Sequence, residues 1–145
     1  MARPALVVDA SVGVKWFSAK GEASLAAALS IRDSHVAGET RIIVPDLFLY
    51  EVTNAMVHKG HIPAHEVETA VHSLFELALE AIPMDAGLMA ESVRLARELG
   101  ITLYDASYVA VARKYGYPLV TANPRHQMER LDCEVIPIDT WPKGT

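Results

Sequence analysis

The chain has 145 residues, 51% hydrophobic and 21% charged, with a formal net charge of −5; this is an ordinary globular composition, large enough to bury a core without a staple, and it predicts one domain over residues 1–145. The charge balance argues against a general basic surface for duplex DNA, and a single cysteine, Cys133, excludes an internal disulfide and fits a reducing compartment. The longest uncharged run, Tyr115 to Pro124, is about half of what a membrane helix needs, and no apolar leader follows Met1, so the expectation is a cytoplasmic protein without a membrane span.

Ala5-Leu-Val-Val8 is a continuous apolar run, which predicts a strand buried on both faces. Asp9 follows at its carboxyl end, where open parallel sheets place their ligands. Ser11 is read as the cap of a short helix to about residue 17, weakened by Gly13 and broken at Lys20-Gly21. Residues 22–36 are rich in Ala and Leu and predict a helix that ends near Gly38. Residues 41–44 form a second strand, closed by Pro45. Asp46 is the expected N-cap of a helix over 47–59, with Gly60 as its stop. Pro63 opens another helix, to about residue 80, with Val67, Ala70, Val71, Leu74, Leu77 and Ala78 as a core-facing stripe.

A weak strand is expected over 81–84, then helices over 86–99 and 102–115, stopped by Gly100 and Gly116. Strands over 119–121 and 135–138 complete the order; the tail after Asp139 is expected to fray, except for docking by Trp141. Strands alternating with helices predict an α/β fold with a mainly parallel sheet of about five strands. Phe48, Tyr50 and Phe75 fall off the main stripes of the helices over 47–59 and 63–80, and this surplus of apolar surface predicts a homodimer.

Each acid of interest has a bland reading beside a functional one. Glu51 lies mid-helix with Asn54 on the same face, which is a solvated stripe or a second carboxylate leaning over the sheet edge. Asp105 opens a helix reading Ala-Ser-Tyr-Val-Ala-Val-Ala, and Thr102-x-x-Asp105 has capping-box spacing. Capping and a site role are compatible there. Thr121 and Asn123 place neutral oxygens after a short buried strand, where Asn-Pro is also simple turn chemistry. The combination carries more than its parts, because Asp9, Asp105 and the Thr121/Asn123 pair all fall at strand ends or helix starts on one edge. Three carboxylates brought together would repel unless cations sat between them, and an oxygen-rich set suits Mg²⁺ or Mn²⁺.

The ordered pieces Val-Val-Asp9-Ala-Ser11, Pro45-x5-Glu51-Val-x-Asn54, Leu103-Tyr104-Asp105-Ala-x-Tyr108-x-Ala110-x-Ala112 and Leu119-Val120-Thr121-Ala122-Asn123 resemble the PIN-domain family. Within it they resemble the toxin ribonucleases of VapBC toxin–antitoxin pairs. The resemblance implies a three-layer α/β/α sandwich around a parallel sheet and a divalent-metal site for endonucleolytic cleavage of RNA. It also implies a homodimer and a cognate antitoxin. Because an acidic site needs a cation when metal is absent and helix-in-groove binding uses apolar anchors, the antitoxin is expected to cover the acids with a basic side chain and to fill an adjacent apolar groove. Asp9, Glu51 and Asp105 match the family's first three acids, and Ser11 and Thr121 match hydroxyl positions beside them. Asn123 stands where the family usually has a fourth acid, which would weaken a second metal and leaves a non-catalytic, partner-binding PIN-like module as the alternative. His126 offers a nitrogen ligand or is a plain loop residue. A phosphatase with paired acids would want an acid where Ser11 stands, and a receiver domain would want adjacent early acids; neither pattern is present.

Overall fold

Leu6, Val7 and Val8 are each 2% exposed or less, as a strand flanked on both sides requires. In the computed structural model, which describes residues 3–123 and 133–141, this strand, β1 (Ala5–Val8), is the middle of a five-stranded sheet. The others are β2 (Arg41–Pro45), β3 (Glu80–Ile82), β4 (Leu119–Thr121) and β5 (Val135–Pro137). Their order is β3-β2-β1-β4-β5 and every pairing is parallel. Val7 sits opposite both Ile43 and Leu119, so β1 is hydrogen-bonded along both edges.

The helices are α1 (Ala10–Gly13), continued by a 3-10 turn at Val14–Trp16, α2 (Leu25–Val36), α3 (Leu47–Val57), α4 (Ala64–Glu76), α5 (Ala86–Leu99) and α6 (Leu103–Tyr115). The chain steps from β1 to β2 to β3 in one direction, then crosses back to β4 and β5. Right-handed crossovers therefore place α1–α4 on one face and α5–α6 on the other, which is the three-layer α/β/α arrangement. α6 packs on β1, β2 and β4, and α5 packs on α6. Reversal of direction makes the β1/β4 boundary the switch point of the sheet, the place where such folds leave a crevice.

Several expected boundaries move, each for a local reason. Asp9, not Ser11, caps the first short helix: its backbone is extended and its side chain accepts from the Ser11 amide. α2 starts at Leu25 rather than residue 22, because Ser24 takes a left-handed conformation at the cap. Asp46 holds the N-cap position of α3 in a helical backbone conformation, with no capping bond from its side chain. α4 ends at Glu76, not residue 80. Ala78 turns to positive φ, and the Leu77 carbonyl accepts from His35 Nε2 at 2.7 Å, while His35 Nδ1 accepts from the Ile42 amide.

Glu80 consequently lies on β3, one residue before the expected start, and forms a two-pronged ion pair with Arg41 of β2. The α4 stripe is thinner than expected, since only Leu74 of the six positions is buried while Ala78 is exposed. β5 stops at Pro137, and Ile138 begins a 3-10 turn. Trp141 docks on the core as expected.

Gly13 brings α1 against α3. A Cβ there would overlap the Phe48 ring and meet Val52 Cγ2 at 2.8 Å, and both neighbours are fully buried. Phe48 thus belongs to the core, tilted against Trp16 at 5.9 Å, and not to an outer surface. A second tie holds the same region. The Glu22 carboxylate lies between Lys15 Nζ at 3.0 Å and Lys59 Nζ at 3.1 Å, joining the turn after α1 to the residues after α3. No helix among the described residues is long and apolar enough to cross a membrane.

Candidate active site

The carboxyl edge of β1 and β4 opens into a cleft of about 290 Å³ lined by Asp9, Ser11, Glu51, Asp105, Tyr108 and Asn123, with Val14 and Ala55 among the apolar walls. Four elements deliver these groups. Asp9 ends β1 and caps α1, Glu51 and Ala55 are one turn apart on α3, Asp105 and Tyr108 are one turn apart on α6, and Asn123 follows β4. Thr102 caps α6 by accepting from the Asp105 amide at 3.0 Å, so the capping geometry read from the sequence holds while Asp105 lines the cleft.

Ser11 ties the two strands of the switch point together. Its hydroxyl donates to Asp9 Oδ1 and accepts from the Ala122 amide at 3.0 Å, and its own amide donates to the same Asp9 oxygen at 3.1 Å. Thr121 is fully buried; its Oγ1 accepts from the Asn123 amide at 3.0 Å, and its side chain also hydrogen-bonds Asp9. On α6, the Tyr108 hydroxyl donates to Glu51 Oε1 at 2.5 Å.

Burial pushes the Asp9 carboxyl above its ordinary range, hydrogen bonds from Ser11 and Thr121 oppose that, and the charge of Asp105 adds to it. Burial also pushes Glu51 up; its bond from Tyr108 opposes the shift, and Asp105 and Asp9 reinforce it. The Tyr108 phenol is held well above its usual value by burial and by Glu51. The three acids therefore line a single cleft and feel one another electrostatically, without being grouped, among the described residues, as three ligands of one ion.

Asn54 is not brought to this cleft. It is exposed and lines a neighbouring groove with Leu49, Tyr50, Val57 and Phe75. His126 lies outside the described residues. The motif contains Tyr108 without giving it a role; the signal available was a phenol inside the buried segment Ala106 to Ala112, where an O–H must find a partner.

A profile of the PIN domain matches residues 6–132. This chain belongs to the PIN domain family. The PIN chain is 32% identical over 97 residues to Ribonuclease VapC3 of Pyrobaculum aerophilum, an overlap of 63% of this chain and 72% of that protein. Its fold matches the crystal structure of PAE2754 from Pyrobaculum aerophilum with a TM-score of 0.62 at 26% identity, covering 97% of this chain and 94% of the other. It also matches VapBC2 from Rickettsia felis bound to a DNA fragment from their promoter, with a TM-score of 0.63, 18% identity, and 92% and 98% coverage; that likeness is one of fold.

The divalent cation implied by the PIN family can be tested against the donors present. Among the described residues, no three Asp, Glu, His or Cys side chains are grouped closely enough to hold one ion between them. Mg²⁺ does not require that: it keeps several waters and is held by one or two carboxylates with substrate oxygens. Asp9, Glu51 and Asp105 supply only oxygen, and two of them carry raised proton affinity from burial and mutual repulsion. A hard dication relieves both strains, so the donor set fits.

Proposed function

We propose that this PIN domain is a divalent-metal-dependent endoribonuclease, the toxin of a toxin–antitoxin pair. The observation that carries the reading is the meeting of Asp9, Glu51 and Asp105, from three separate segments, in one cleft at the switch point of a PIN sheet. The name of its relative, Ribonuclease VapC3, supports RNA as the substrate. Bound Mg²⁺ or Mn²⁺ would activate a water and neutralise the leaving oxygen of the phosphodiester. Asp9, Glu51 and Asp105, which line the cleft from β1, α3 and α6, are the residues that would hold it. Ser11 and Thr121 fix the Asp9 carboxylate by hydrogen bonds, so its orientation is set before any ligand arrives. Asn123, at the exposed rim, contributes a neutral oxygen where an acid would add charge.

Two further grooves are largely apolar, one with Leu49, Val57 and Phe75, the other with Met84, Met89, Leu103 and Tyr104; Tyr50, 79% exposed, lines both. A second copy of the chain and the apolar face of an antitoxin segment are the occupants of these surfaces in this reading, with a basic antitoxin side chain over the acids. Light scattering at micromolar concentration should give a dimer mass, and a monomer would remove that part. The alternative, a non-catalytic partner-binding module with a weakened metal site, is favoured by Asn123 alone. Incubating the purified chain with a mixed RNA pool and Mg²⁺, with and without EDTA, separates the two. Discrete, EDTA-sensitive products support the nuclease, and intact RNA under both conditions refutes it.

A further inference from the structure

Glu51 presents its two carboxylate oxygens to the cleft unequally. Oε1 accepts from the Tyr108 hydroxyl at 2.5 Å, whereas Oε2 has no hydrogen-bond partner among the described residues. Tyr108 is 2% exposed and sits in the stretch Ala106 to Ala112 of α6, which is buried throughout. A buried phenol cannot turn to water and must keep a partner, so Oε1 is committed. A carboxylate held in this way offers a cation its free oxygen, Oε2, ahead of the oxygen already engaged. Mg²⁺ takes single oxygens and waters in a tight octahedron, and Mn²⁺ likewise suits six oxygens. Ca²⁺ prefers six to eight oxygens at longer distance and readily uses both oxygens of one carboxylate.

We propose that Tyr108 is a positioning residue that sets the cation preference of the cleft: by occupying Oε1 of Glu51, it holds that carboxylate to one-oxygen coordination and favours Mg²⁺ or Mn²⁺ over Ca²⁺. This rests on the metal-dependent reading given above. The hydroxyl also acts as an orienting partner behind a ligand, and loss of such partners typically lowers metal affinity about 10–100-fold.

The test is calorimetric titration of the full chain with Mg²⁺, Mn²⁺ and Ca²⁺ separately, without RNA, for wild type and Tyr108→Phe. Removal of the hydroxyl frees Oε1, and the ratio of Mg²⁺ to Ca²⁺ affinity should fall about tenfold or more. Tyr108→Leu, which removes the same hydroxyl in a different apolar shape, is read the same way if the first variant does not fold. If wild type binds Mg²⁺ and either folded variant loses affinity for all three ions equally, or keeps the wild-type ratio, Tyr108 has only a packing role and the inference is overturned. Wild type that binds none of the three ions overturns the metal reading itself, and the inference with it.

Discussion

Asp9→Asn separates the burial of charge at this site from every other role of the residue. Asn keeps an Oδ1 that accepts from the Ser11 amide and hydroxyl, and it caps helices as well as Asp. What it loses is the ionised form, which burial disfavours and Asp105 repels. Because the folded carboxyl holds its proton more tightly than the unfolded one, the folded chain binds more protons between the two pKa values. Stability of the metal-free wild type therefore falls as pH rises through the folded value. Asp9→Asn escapes that loss. Stabilising changes at strained functional positions give about 0.5–2 kcal/mol, and for a chain of this length each kcal/mol moves Tm by about 2–4 °C. Thermal unfolding in EDTA at pH 7.5 should place Asp9→Asn above wild type by roughly 1–8 °C, with the gap closing as pH falls toward about 4, the unfolded carboxyl value. Added Mg²⁺ should raise wild type and not the variant. A variant less stable than wild type at pH 7.5 in EDTA, or a gap that ignores pH, would refute the reasoning.

Two further outcomes are expected. Gly13→Ala should destabilise the chain by about 1–2 kcal/mol in urea unfolding: overpacking against the buried Phe48 and Val52 costs about 1–3 kcal/mol and exceeds the gain of up to about 1 kcal/mol from better helix propensity; equal or higher stability would show that α1 can lift off α3 freely. Asn123→Asp should strengthen a second, weaker metal-binding event and raise Mg²⁺-dependent cleavage, and unchanged affinity and rate would make residue 123 a turn residue outside the site.

The parts of the fold that were legible in the sequence are those where local chemistry and tertiary packing agree. The unbroken apolar run of β1, the all-round apolar Ala106 to Ala112 segment, and the helices ended by Gly100 and Gly116 read directly, and both glycines adopt positive φ. The end of α4 did not, because its cause is remote in sequence: His35 of α2 takes the Leu77 carbonyl and Ala78 turns without a glycine to announce it. Phe48 was misplaced for a related reason, since the space it fills is made by Gly13, thirty-five positions earlier in the chain. At the site, ordered spacing and family likeness single out Asp9, Glu51 and Asp105, and these three line one cleft. Asn54 satisfied helical spacing to Glu51 yet faces the α3–α4 groove, because Ala55 is the residue one full turn along that lines the cleft. The Tyr108–Glu51 bond joins residues far apart in sequence on helices from opposite faces of the sheet, so spacing could not reveal it.

The most direct measurement compares Mg²⁺-dependent RNA cleavage by wild type with Asp9→Asn, Glu51→Gln and Asp105→Asn, each checked for native unfolding behaviour. If the three carboxylates act together in one metal-dependent site, every single neutralisation should lower the rate at least about a hundredfold, since residues acting as a unit do not contribute additively. Wild-type cleavage that survives any one of these substitutions, or that proceeds undiminished in EDTA, would contradict a three-carboxylate metal-dependent nuclease.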